Sequence, residues 1–158
     1  MFRPIRRQAK EIRIEAAKEL LKNERRAVLA VNGDDGYPYA IPVNFYYNEE
    51  TNKIYFHGAA AGHKADALRA DDKVCFTVYG NESIKDVEWA PYVQSAVAFG
   101  RCRPVRDREE VMTLVRQIAK KYYPNDALID EEIAHSGRVV QVYEITIEHL
   151  SGKEIQER

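Results

Sequence analysis

The sequence predicts a mainly β domain with peripheral helices, a mostly antiparallel barrel rather than a doubly wound parallel sheet. Three observations carry that expectation. Apolar runs of strand length fill the first half and are separated by hairpin-length connections such as "NGDDGY" and "NEETNK". No βαβ rhythm runs through the chain, as a parallel sheet would require. The last long apolar segment, "GRVVQVYEITIEHLSG" (137–152), alternates with the period of a strand and is expected to close the sheet.

Taken in order, residues 8–23 place Ile12, Ala16 and Leu20 at helical spacing among lysines and glutamates, an amphipathic N-terminal helix. "RRAVLAVN" (25–32) is a first strand, and "GDDGY" (33–37) is a turn rich in residues that tolerate left-handed backbone. "YPYAIPVNFYY" (37–47) returns as a second strand. Pro38 and Pro42 cannot donate ladder hydrogen bonds, which places that strand at an edge or interrupts it. "KIYFHG" (53–58) is a third strand, "KADALRADD" a short helix and "KVCFTVYG" (73–80) a fourth strand. "NESIKDVEWAP" (81–91) is a polar connection holding the only tryptophan, Trp89. "YVQSAVAFGRCRPV" (92–105) is a long strand in which Gly100 permits a bulge. "DREEVMTLVRQIAKKYYP" (107–124) is a helix with Asp107 as its N-cap. The tally is about six strands and three helices in one domain spanning 1–158: a helix at 8–23, a barrel over about 25–105 closed by 137–152, and a helix at 107–122.

The composition is that of an ordinary globular protein. Hydrophobic residues make up 45% and charged residues 31% of the 158, and the formal net charge is −1. A near-neutral chain gives no overall pull towards nucleic acid or anionic membrane. No apolar run reaches the ~20 residues that span a bilayer. The basic start, "MFRPIRRQAKEI", lacks the apolar core of a secretory signal, so a cytoplasmic location is expected. Cys75 and Cys102 lie in separate strands without a CxxC spacing and read as reduced, partly buried thiols.

Chemistry concentrates in "IYFHGAAAGHKADALR" (54–69). Small residues at 58–62 let backbone approach a ligand closely. A helix starting near Gly62 directs its unpaired N–H groups and the positive end of its dipole at that loop. His63 and Lys64 add cations in the first helical turn, where they disfavour the helix by roughly 0.3–1 kcal/mol unless an anion offsets them. An exposed turn with incidental charges remains a competing explanation. A metal is disfavoured: His57 and His63 are six residues apart, with only Asp66 nearby. Ser95 and Ser136 have no GxSxG elbow, and Asp34 and Asp35 are explained by turn chemistry. Most of the ten tyrosines read as packing residues, with a stacking surface for a planar ligand as the minority reading.

Three segments, "AVLAVNGDDGYPYAIPVNFYY", "KIYFHGAAAGHKADALRADDKVCFTV" and "QSAVAFGRCRPV", resemble the FMN-binding split-barrel superfamily. The likeness is to pyridoxamine 5′-phosphate oxidase-related flavoproteins of the nitroimidazole-resistance type. It spans about 25–122 and the closing strand. The resemblance implies an FMN-binding split β-barrel that forms a homodimer with FMN at the subunit interface, working as an oxidoreductase with NAD(P)H and a small electrophile such as a nitro-aromatic. By the same likeness His57, Gly58 and Ala59 meet the phosphate and ribityl chain, and His63 and Lys64 grip the phosphate. Val43, Asn44 and Phe45 run along the ring, and Ser95 supplies a polar side chain near the cofactor. His57 is the residue with an implied redox role, and Trp89 and Tyr92 are candidates to reach the partner's flavin. The second strand reads "PVNF" and the last residues "EHLSGKEIQER", departures from the basic residue and the C-terminal Arg-x-His motif of the vitamin oxidases that count against an assignment as that enzyme. A non-catalytic flavin- or haem-binding protein of the same fold is the alternative.

Overall fold

The computed structural model describes residues 1–86 and 89–157. Val87 and Glu88, within the expected polar connection, and Arg158 lie outside the described residues.

The elements run α1 (Ile14–Asn23), β1 (Ala27–Asn32), β2 (Pro38–Val43), β3 (Tyr46–Asn48), β4 (Lys53–Gly58), α2 (His63–Ala70), β5 (Lys73–Ser83), β6 (Tyr92–Pro104), α3 (Arg108–Tyr122), α4 (Asp126–Ser136) and β7 (Gln141–Gln156). Among the described residues the seven strands form one antiparallel sheet in the order β2-β1-β5-β6-β7-β4-β3. Its two edge strands, β2 and β3, are consecutive in the chain and joined only by Asn44 and Phe45. The sheet therefore curls until its ends meet at that corner, without hydrogen bonds closing it. β7 lies inside the sheet between β6 and β4, so the open seam falls at the β2–β3 corner and not at the C-terminal strand. Pro38 and Pro42 sit on edge strand β2, where their missing N–H groups leave no inner ladder bond unmade.

Several expectations need correction. The segment expected as one helix over 8–23 is a short 3-10 turn, Gln8–Lys10, followed by extended backbone and then α1. The second strand is split in two by the Asn44-Phe45 corner. The segment after α3 forms a fourth helix, α4, capped by Asn125, whose side chain accepts from Leu128 N–H at 3.0 Å. The Asp107 cap is in place, accepting from Glu110 N–H at 2.8 Å. The β6–β7 register shifts between Phe99 and Gly100, where the sequence suggests a bulge.

The core sits inside the curl. Leu29, Phe45, Ile54, Phe56, Phe76, Val78 and Ile145 are fully buried there, with Ala17, Leu20 and Leu21 of α1 packed against them. A second cluster seats Val111, Leu114 and Ile118 of α3 on Tyr55 and Val142 of β4 and β7. By placing α3 beside β4, this packing shapes the space next to His57.

Candidate functional site

β4 carries His57 and Gly58 to the end of the sheet, where the chain turns through Ala59–Gly62 into α2. Gly62 caps α2 with φ +105°, a backbone region that disfavours other L-residues. No side chain caps this helix end, so the first-turn amides face the loop. The loop is pinned from below: Tyr143 Oη donates to the Ala59 carbonyl at 2.9 Å, and the Tyr143 ring stacks on Phe56 at 5.3 Å.

Lys64 extends from α2 back over this platform. Its Nζ lies 5.3 Å from the Phe56 ring centroid, and a Cβ placed on Gly58 would approach it to 2.8 Å. A glycine at 58 thus leaves the space that the amine occupies. Burial pushes the Lys64 pKa down, and no carboxylate contributes to holding it up. An amine in that condition gains from any anion that reaches it.

What it faces is a cleft of about 350 Å³ lined by Arg26, Pro42, Val43, Asn44, His57 and Lys64. Two cations, a histidine and an amide converge there, with no carboxylate among the described residues of the lining. His57 stands in the wall, its pKa pushed down by burial first and by Lys64 second, with Glu132 pulling it the other way. Arg26 arrives from the entry to β1. The β1 entry and the β2–β3 corner are stapled together by Tyr122 at the end of α3. Its hydroxyl accepts from Phe45 N–H at 2.8 Å and shares its proton between the carbonyls of Arg25 (2.9 Å) and Phe45 (3.0 Å).

The donor set fits a phosphate ester attached to a flat group. The lysine and the arginine of the lining suit the phosphate, and the uncapped start of α2 carries that lysine. The strand backbone at Pro42–Asn44 offers a flat wall for a ring.

The expected residues distribute unevenly around this cleft. Val43, Asn44, His57 and Lys64 line it, with Gly58 directly beneath the Lys64 amine. His63 is turned aside: its ring stacks on Tyr39 at 4.1 Å and its Nε2 lies 3.6 Å from Asp34 Oδ2, at the β1–β2 turn. The Phe45 side chain is wholly buried, edge-on to Phe76, so that only its backbone belongs to the corner. Ala59 contributes its carbonyl to Tyr143. Ser95 sits on β6 opposite Tyr79 and Lys153, on the outer face of the sheet. Trp89 is exposed, and Tyr92 opens β6. Sequence reasoning missed Arg26, whose only signal is the Arg25-Arg26 pair ahead of the first strand, and Tyr122.

The matched family model, described as pyridoxamine 5′-phosphate oxidase, covers residues 14–154. The chain belongs to the pyridoxamine 5′-phosphate oxidase family. Solved structures extend the likeness in fold. A candidate 5-nitroimidazole antibiotic resistance protein from Bacteroides thetaiotaomicron matches with TM-score 0.77 at 19% identity, over 92% of this chain and 87% of that one. An FAD-binding protein from Mesorhizobium loti matches with TM-score 0.66 at 20% identity, over 92% and 97%. A flavocytochrome from Azotobacter vinelandii matches with TM-score 0.71 at 20% identity, over 95% and 71%. A search of curated proteins finds no match. Within the pyridoxamine 5′-phosphate oxidase family, then, this chain has the antiparallel split-barrel fold with a cationic cleft at the start of α2.

Proposed function

We propose that the protein is an FMN-dependent oxidoreductase that takes reducing equivalents from NAD(P)H and passes them to a small electrophile such as a nitro-aromatic. The observation that carries this reading is the cleft in which Arg26, Lys64 and His57 converge beside an uncapped helix start with no carboxylate among them. An FMN phosphate brings about −1.5 to −2 charge near pH 7, by analogy with other phosphate monoesters. Lys64, Arg26 and the α2 amides would hold it. Asn44 and the Val43 backbone would orient the ring, and His57 would stand beside it. Bound flavin supplies the hydride and electron chemistry, while the chain supplies position, charge and exclusion of water.

A homodimer is part of this reading. The outer sheet face presents two cross-strand rows, Pro42–Val28–Thr77–Val97–Ser151 and Ala40–Ala30–Cys75–Phe99–His149. Neither row holds a lysine, arginine or carboxylate, whereas a solvated sheet face alternates to polar residues. Val28, Tyr79 and Phe99 lie exposed on that face. A second opening of about 490 Å³, lined by Arg26, Pro42, Val28, Thr77 and Tyr79 among others, joins the cationic cleft to it. A second copy covering this face would bring the flavin to the interface.

The alternative, a flavin- or haem-binding protein without turnover, is separated by simple measurements. The purified protein is expected to be a dimer by light scattering and to keep a yellow flavin spectrum through gel filtration. A colourless protein that FMN cannot reconstitute overturns the proposal. A haem spectrum selects the haem reading, against which His63 is already engaged with Tyr39 and Asp34. Bound flavin that NADH and NADPH both fail to reduce in stopped flow leaves a passive binder.

A further inference from the structure

A second cavity, of about 400 Å³, lies between β4, α3 and α4. His57 and Asn44 line both it and the cationic cleft, so the two spaces meet at those side chains. Their characters are opposite. Val115, Ile118 and Ala119 of α3 and Ile129 and Ile133 of α4 form apolar walls. Among the described residues no lysine or arginine lines the cavity, and its single carboxylate is Glu132. The neighbouring arginines are committed elsewhere: Arg116 pairs with Asp130 at 2.6 Å, and Arg108 donates to the carbonyls of Gly137 and Val140. The volume lies in the range of small-molecule sites, and an apolar lining with a few converging polar groups is how such sites are built.

We propose that this cavity is a ligand site for a small apolar molecule bearing a cationic amine, with the amine paired to the Glu132 carboxylate and the apolar body held between α3 and α4. An anionic ligand would place a like charge against Glu132 in apolar surroundings, which is costly. The cationic cleft on the other side of His57 has the reverse preference. The site thus sorts its two occupants by charge, the phosphate-bearing group to one side and the amine to the other. That the amine-bearing molecule faces a flavin across His57 rests on the function proposed above; its binding does not.

Three probes test the assignment: 4-nitrobenzylamine, 4-nitrobenzyl alcohol and 4-nitrobenzoate, which differ at one substituent only. Isothermal titration of each into the full chain, with and without saturating FMN, reads binding without relying on turnover. The amine is expected to bind about tenfold tighter than the carboxylate, because the exposed Glu132 carboxylate attracts the one and repels the other and the two modest effects add. Glu132→Gln should reduce that preference to about threefold or less, and Glu132→Lys should reverse it. Glu132 is exposed, so both variants are expected to fold. Absence of amine binding, carboxylate binding as tight as the amine, or a preference that both variants leave unchanged overturns the assignment. Failure of FMN to bind while the charge preference persists supports the cavity and overturns the flavin cleft, so the two failures are distinguishable.

Discussion

Among the described residues two lysines lie over phenylalanine rings, Lys64 at the start of α2 and Lys121 at the end of α3. Lys64 Nζ is 5.3 Å from the Phe56 centroid, and Lys121 Nζ is 3.7 Å from that of Phe45. Burial pushes both pKa values down, that of Lys121 to about 8. Glu24 pulls the Lys121 pKa up, which no carboxylate does for Lys64, and the two amines differ in access. Lys64 lines an open cleft with Arg26 and His57, whereas the Lys121 amine is itself buried without a hydrogen-bond partner among the described residues. A desolvated cation marks a binding site only where a ligand can reach it. Lys121 shows the same cost borne inside the fold, offset by its contact with the Phe45 ring.

The largest effect expected from this contrast is on cofactor affinity. Lys64→Met removes a charge-assisted contact to the phosphate, and such contacts contribute about 1.5–3 kcal/mol, roughly ten- to a hundredfold in Kd. Titration of FMN followed by fluorescence quenching checks it. Lys121→Met should move the same Kd far less. Equal losses from the two variants would show that the Lys64 effect reflects the fold and not the cleft.

The second effect is on stability. Lys121→Met exchanges an unpartnered buried amine for an apolar side chain of similar length and should stabilise the protein by about 1 kcal/mol at pH 7. That corresponds to roughly 2–4 °C in Tm for a chain of this size. The pH dependence has a definite sign. The folded pKa, about 8, lies below the ordinary 10.5, so the unfolded chain binds more protons between those values. The Lys121 penalty is full below about pH 8 and shrinks as pH rises towards 10.5. The advantage of Lys121→Met should therefore narrow between pH 7 and 9.5 in paired thermal melts. An advantage that stays constant across that window would show that the amine titrates normally.

These contrasts also explain what could be read from the sequence. The Asp107 cap, the edge prolines Pro38 and Pro42, and the helix start at Gly62 are local signals, and each lies where the pattern places it. The loop from His57 to Lys64 is legible for the same reason, since small residues before a helix start need no distant partner to be noticed. His63 shows the limit. Spacing puts it in the first turn of α2, but its ring direction is set by Asp34 and Tyr39 of another hairpin. Arg26 enters the cleft because β1 pairs with β2, a pairing its own neighbours do not encode. Helix α4 buries Ile129 alone, so "DALIDEEIAHS" has little of the one-sided pattern that announces a helix. With α4 unread, the apolar cavity beside His57 is invisible in the sequence.

The smallest of the expected changes concerns the residue between the two spaces. Burial and the Lys64 charge hold the His57 pKa below the ordinary 6.5, so the imidazole is mostly neutral at pH 7. A neutral side chain offers a flavin a hydrogen bond of about 0.5–1.5 kcal/mol, against the 1.5–3 kcal/mol of a charged donor. His57→Ala should therefore weaken FMN binding by roughly two- to tenfold, less than Lys64→Met does in the same titration. The reverse order would remove Lys64 from the phosphate grip and make His57 the principal contact. If the order holds while His57→Ala still abolishes reduction of a nitro-aromatic acceptor, the imidazole acts on the side facing the apolar cavity. Its contribution then lies beyond holding the cofactor.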